Sequence, residues 1–138
     1  MRISIIIPVF NEEKYILEIL KKVNLQKKNY DLEIIISDDA STDKTLELIK
    51  QNRHLYDKLI ENAENHGKGS AIINSLDEVS GKYLLIQDAD LEYDPLDYEK
   101  LFLPALKLNA DVVFGSRFQG GGVKRILYFK NRLANFIL

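Results

Sequence analysis

The sequence contains no cysteine, only two histidines, three prolines and seven glycines in 138 residues. Without cysteine, disulfides and thiolate-ligated zinc are excluded, and a reducing compartment is permitted. The histidines, His54 and His66, belong to no recognisable nucleophile triad; His54 reads as a surface residue and His66 as a structural one. No charge of one sign dominates. The 19 basic and 21 acidic residues leave a net charge of −2, which removes any bulk attraction to nucleic acid. Nowhere does the chain reach the roughly 18 consecutive apolar residues of a spanning helix, and the apolar start Met1–Pro8 is too short for a signal peptide. There is no repeat, low-complexity tract or linker, and Gly120-Gly121-Gly122 is the one flexible-looking stretch. Two phosphate-binding signatures are also missing. Asn62 and Gly69 break the pattern of a P-loop around Gly67-Lys68, and no Gly-x-Gly-x-x-Gly follows the first apolar run.

What is present is ordinary for a globular chain: 46% hydrophobic and 29% charged residues, in a length that suits one domain over 1–138. Three short runs rich in β-branched residues, Ile3–Val9, Leu32–Ser37 and Lys82–Gln87, read as strands buried on both faces. Asp111–Gly115 reads as a weaker strand and Asp57–Glu61 as a further short one. Amphipathic stretches alternate with them: Glu12–Leu25, Thr42–Asn52, Ser70–Val79, Leu96–Leu108 and a last helix, Lys124–Leu138. Alternating strands and helices predict an α/β fold, a Rossmann-like, mostly parallel sheet with helices on both faces. Ligands of such sheets bind beyond the carboxyl ends of the strands, near a switch in strand order.

The residues just after the strands are therefore the informative ones. They are Pro8-Val9-Phe10-Asn11-Glu12-Glu13, Ser37-Asp38-Asp39-Ala40-Ser41-Thr42-Asp43, Gln87-Asp88-Ala89-Asp90-Leu91-Glu92 and Gly115-Ser116-Arg117-Phe118. Acidic groups gather at one edge of the sheet, and crowded carboxylates call for a cation or for hydrogen-bond donors. On extended backbone, Asp88 and Asp90 point to one side and can share a hard divalent cation, Mg²⁺ or Mn²⁺. Read as a plain turn, the same segment is a pair of helix-capping aspartates. In Asp38-Asp39, Ser41 or Thr42 can cap the next helix and Asp43 suits its first turn. Two adjacent carboxylates after a buried strand are left over, suited to a nucleobase N–H or a ribose hydroxyl. Asn65-His66-Gly67-Lys68-Gly69-Ser70 opens a helix with glycines and a lysine, a combination that favours anions.

In their order and spacing these loops, together with Ser4–Glu12 and Asp94-Pro95, resemble the GT-A domain of family 2 glycosyltransferases over nearly the whole chain. The branch most similar includes dolichyl-phosphate and polyprenyl-phosphate sugar synthases. The resemblance implies transfer of a sugar from a UDP- or GDP-linked donor to an acceptor, by metal-assisted inverting displacement. It also implies roles for single residues. Pro8, Phe10 and Glu12 would line the nucleoside pocket, and Asp39 would meet the base with Ser37 and Asp38 beside it. Lys68 would lie near the base or diphosphate. Asp88 would contact ribose or sugar, with Ala89 between it and Asp90. Asp90 would hold Mg²⁺ or Mn²⁺ with help from Asp88 and Glu92, and Arg117 would neutralise the departing diphosphate. Ala40 stands where the family usually has Gly, and Phe10 where it often has Tyr.

The stop inside an apolar pattern at Phe136-Ile137-Leu138 leads us to expect a C-terminally truncated piece. A lipid phosphate or a glycan is the expected acceptor. The basic and apolar residues of 124–138 suit either a membrane interface or packing against further chain. Exposed there, they would favour self-association into a homo-oligomer. The expected location is cytoplasmic, at the cytoplasmic face of a membrane. A phosphoacceptor receiver domain would carry its acidic pair after the first strand, whereas Asp38-Asp39 follows the second; a nucleotidyltransferase would carry a glycine-rich, basic loop after the first strand, and Pro8–Glu13 is neither glycine-rich nor basic. A non-catalytic nucleotide-sugar-binding module stays open.

Overall fold

The computed structural model describes residues 1–115; Met1–Tyr98 forms one unit and a second begins at Glu99. Four parallel strands build the first unit: β1 (Ile3–Val9), β2 (Leu32–Asp38), β3 (Lys58–Glu61) and β4 (Tyr83–Ile86), in the order β3-β2-β1-β4. β1 and β2 are buried along their whole length, as their unbroken apolar runs predict. Ile5, Ile6, Ile7, Ile34, Ile35 and Ile36 have no exposed surface. β4 departs from the expectation of two buried faces. Among the described residues it lies at the edge of the sheet, as β3 does, and Leu84 and Ile86 keep about two fifths of their surface exposed (40% and 45%).

The strand order follows from the connections. α1 (Ile16–Leu25) and α2 (Thr45–Gln51) carry the chain from β1 outward to β2 and β3, and pack on one another. α3 (Lys68–Ile73) packs on β1 and β2 and returns the chain across the sheet to β4. With right-handed crossovers, reversing direction puts α3 on the opposite face from α1 and α2. The reversal falls between β1 and β4, the switch point where ligands of open α/β sheets bind.

Pro8 sharpens that opening. In β1 the backbone groups of Arg2 and Ile6 face β4: they accept from Lys82 and Gln87 at 3.0 and 2.9 Å. The nitrogen of Pro8 faces the same way and has no hydrogen to give. The β1–β4 register ends at Ile6↔Ile86, whereas β1–β2 continues to Val9↔Asp38. Beyond Ile86 the two chains part.

At the other end of the sheet Glu33, 6% exposed, lies opposite Ser4. It accepts from Ser4 Oγ at 2.6 Å and from Ser80 N at 2.9 Å, and Lys58 Nζ stands 3.4 Å away. Burial alone would raise its pKa; these bonds outweigh burial and hold it down at about 2. Gly81 donates to Ser4 Oγ, and a Cβ on Gly81 would come within 2.5 Å of Ser4 N, so only glycine fits there.

In the second unit α4 (Tyr98–Leu108) continues from Tyr98. It ends with Asn109 in the left-handed region (φ 54°) and Ala110 N donating back to Pro104 O. The expected strand Asp111–Gly115 is absent: the segment has no strand partner among the described residues, and an extended chain without a hydrogen-bonded neighbour is not a strand. The expected helix Lys124–Leu138, Gly120-Gly121-Gly122 and Arg117 lie outside the described residues. No described helix is long and apolar enough to cross a membrane.

Candidate nucleotide-sugar site

Where β1 and β4 part, a cleft of about 290 Å³ opens. Pro8, Val9, Phe10 and Glu12 form one wall, Asp88, Ala89 and Asp90 the other, and Asp39, Gly67, Lys68 and Ala71 its back. A larger, shallower depression runs along α2 and holds none of these groups. Eight of the residues singled out from sequence thus come to one place: Pro8, Phe10, Glu12, Asp39, Lys68, Asp88, Ala89 and Asp90.

Four carboxylates, Glu12, Asp39, Asp88 and Asp90, and the ammonium of Lys68 set the electrostatics. Lys68 Nζ donates to Asp88 Oδ1 at 2.5 Å, bridging the first residue of α3 and the segment after β4. Glu12 is held above the ordinary carboxylate range by its partial burial first, then by the negative charges of Asp90 and Asp43. A cation arriving in the cleft relieves that repulsion. Phe10, 43% exposed, offers a ring face at the rim.

The segment carrying Asp88–Asp90 is shaped from below. Gln87, 2% exposed, donates from Nε2 to the carbonyls of Asp88 and Tyr93, and its Oε1 accepts from the buried Tyr98 hydroxyl at 2.8 Å. Asp90 Oδ1 accepts from Glu92 N, and Leu91 takes a left-handed φ of 62°. The two aspartates therefore lie on a bent segment rather than on a strand, with Ala89 buried between them.

Asp39 is 2% exposed and its carboxylate is already engaged: Oδ1 accepts from Asn62 Nδ2 and His66 N, Oδ2 from Gly67 N at 2.7 Å. It ties the loop before α3 to the end of β2. Gly67 there has φ 88°, which glycine adopts without strain.

Three expected site residues do not line the cleft. Ser37 is fully buried and spends its hydroxyl on Ala71 O in α3. Asp38 faces away from it, because successive residues of a strand point to opposite sides; its Oδ2 accepts from Ser41 N and its Oδ1, buried, has no partner. Glu92 is exposed beyond the cleft. The capping expectation also changes: Asp43, not Ser41 or Thr42, accepts from the first amide of α2, Thr45 N.

The donor chemistry fits a hard divalent cation. Asp88 and Asp90 each keep Oδ2 without a hydrogen bond among the described residues, and one or two carboxylates plus phosphate oxygens suffice for Mg²⁺. Asp88, Asp90 and Glu92 do not gather as a three-ligand cluster; among the described residues there is none.

Comparison with known proteins gives the family and the fold. The family Glycosyl transferase family 2 matches residues 4–136. A dolichol-phosphate mannosyltransferase of Pyrococcus furiosus is 33% identical over 123 residues, 88% of this chain and 35% of that protein. An uncharacterized protein of Methanocaldococcus jannaschii is 33% identical over 139 residues, 97% of this chain and 54% of its own length. The chain thus spans a third to a half of these relatives. Among solved structures, the mannosyltransferase PcManGT of Pyrobaculum calidifontis, in complex with GDP-Man and Mn²⁺, superposes with a TM-score of 0.57 at 32% identity, over 64% of this chain and 27% of that one. S. aureus TarS in complex with UDP-GlcNAc gives 0.69 at 25% identity, over 89% and 37%. The fold is the GT-A fold of these glycosyltransferases, and with sequence, strand-end loops and cleft in agreement, the chain belongs to glycosyl transferase family 2.

Proposed function

We propose that this chain is the nucleotide-sugar-binding part of an enzyme that transfers a sugar from a UDP- or GDP-linked donor to an acceptor. The observation that carries the reading is the cleft at the β1–β4 switch point, with Lys68, Asp88 and Asp90 facing Phe10 and Glu12. Pro8 and Phe10 hold the nucleoside, Asp39 meets the base through its remaining lone pairs, and Lys68 turns to the diphosphate. Asp90, assisted by Asp88, holds Mg²⁺ or Mn²⁺. That ion, when bound, supplies charge stabilisation for the departing diphosphate. Arg117 adds positive charge to the same leaving group. The acceptor oxygen attacks the anomeric carbon opposite the diphosphate, the carbon–oxygen bond breaks, and the configuration inverts. A lipid phosphate, already ionised near neutral pH, serves as acceptor without a strong base, in keeping with a reaction at a membrane surface.

Calorimetry with UDP and GDP, in Mn²⁺, Mg²⁺ or EDTA, tests this. Binding of one nucleotide, lost in EDTA and in Asp90→Ala, is the expected result. A folded, full-length protein that binds neither nucleotide sinks the reading.

A further inference from the structure

The loop after β1 and the loop after β2 are clasped by side chains some 30 residues apart in sequence. The amide oxygen of Asn11 accepts from Thr42 N at 2.8 Å, and from Thr42 Oγ1 and Asp43 N at 3.3 Å each. Three donors on one oxygen settle which way the amide points. Asn11 N in turn donates to Ser41 Oγ at 3.0 Å. The next two amides continue the contact: Glu12 N donates to Thr45 Oγ1 and Glu13 N to Asp43 Oδ2, while Glu13 Oε2 accepts from Lys44 N. Asn11 sits at φ 55°, a left-handed conformation that asparagine tolerates better than other residues with a Cβ.

Asn11 itself is exposed and does not line the cleft, yet both its neighbours, Phe10 and Glu12, do. On the partner loop, Ser41 lies two residues from Asp39, which also lines it. The left-handed turn at Asn11 sets the direction in which Phe10 and Glu12 leave β1. The three hydrogen bonds from Thr42 and Asp43 fix that turn against the Asp39 loop. From this geometry we infer that Asn11 is a positioning residue, whose side-chain oxygen holds Phe10 and Glu12 in register with Asp39 across the nucleotide-binding cleft. The inference rests on the proposed nucleotide site for its consequence, but on the clasp alone for its structural content.

Three variants separate the parts. Asn11→Gly keeps the backbone free to hold φ 55° and removes the acceptor. Asn11→Asp keeps an acceptor oxygen, and among the described residues Asn11 Nδ2 donates no bond that the change would lose. Asn11→Ala removes the acceptor and strains the turn. Amide hydrogen exchange reads the clasp without ligand. In Asn11→Gly, exchange should accelerate at Glu12 and Glu13 as well as at Thr42 and Asp43, although the first two amides do not bond to Asn11. Nucleotide Kd should weaken about tenfold, the scale of a small misplacement of binding groups, with thermal stability little changed. Asn11→Asp should restore both readouts to near the parent values. Acceleration confined to Thr42 and Asp43, or an unchanged Kd in folded Asn11→Gly, overturns the inference. If the parent protein binds neither UDP nor GDP, the functional reading fails, and the exchange pattern still decides whether Asn11 orders the loop.

Discussion

The two ends of the central strands treat buried acid in opposite ways. At the amino end Glu33 is fully partnered, and its pKa is held down at about 2. At the carboxyl end Glu12 is held above its ordinary range, and Asp38 keeps a buried oxygen with no partner. Equal residue chemistry thus serves opposite ends: one carboxylate closes the sheet with its partners in place, while Glu12 stands among the negative charges of Asp90 and Asp43. Such strain at a site, offset by well-satisfied packing elsewhere, is a common mark of function.

Several substitutions would break or sharpen this contrast. The largest effect belongs to Glu33→Ala, which strands the buried Ser4 hydroxyl proton and Ser80 N, while Lys58 keeps its bonds to Glu78; it should cost about 3 kcal/mol of stability in urea denaturation and leave nucleotide binding intact. Because folding lowers the pKa of Glu33 from 4.5 to about 2, its contribution is fully present above about pH 4.5 and fades as pH falls towards 2. A Glu33→Ala protein as stable as its parent at pH 7 would remove the amino-end half of the comparison.

Asp90→Ala acts at the other end. It should weaken metal-dependent nucleotide binding by about 100-fold, or about 2.7 kcal/mol, while leaving the urea midpoint unchanged or slightly higher. A drop in stability matching Glu33→Ala would mean that both ends are merely structural. Tyr98→Phe lies between these cases: it leaves Gln87 Oε1 without its buried donor and should cost about 1–2 kcal/mol, with a smaller loss of nucleotide affinity through the Asp88–Asp90 segment.

Glu12→Gln should raise stability slightly at pH 7. The sign follows from the raised pKa of Glu12: its ionised form is disfavoured in the folded protein, so the gain should vanish as pH falls below the ordinary value of 4.5. A stability loss at pH 7 would contradict the charge strain. Smallest of all, Ala40→Gly should add up to about 1 kcal/mol in thermal denaturation, because Ala40 is held at φ 59°. That angle also gives a reason for the glycine usual at this position in the family.

Much of this site was legible in the chain. Unbroken β-branched runs locate β1 and β2, and the loops following them, with Asp88 and Asp90, lead to the cleft. Other features were not. Asp38 and Asp39 look alike in sequence, but only Asp39 reaches the cleft. Ser37 looks like a site residue until its hydroxyl is seen on Ala71 O. Asn11 carries no signal of its own, because its partners are about 30 residues away.

By itself, the sequence determined the alternation of strands and helices and the acidic loops at the strand ends, since periodicity and local spacing carry these; the family followed from the resemblance of those loops to known ones. Only the tertiary structure decided that β4 lies beside β1 and that the missing hydrogen of Pro8 marks their parting. It also decided which carboxylates face the cleft, which are satisfied and which are strained. These depend on hydrogen bonds and charges between residues far apart in the chain, and no local pattern records them.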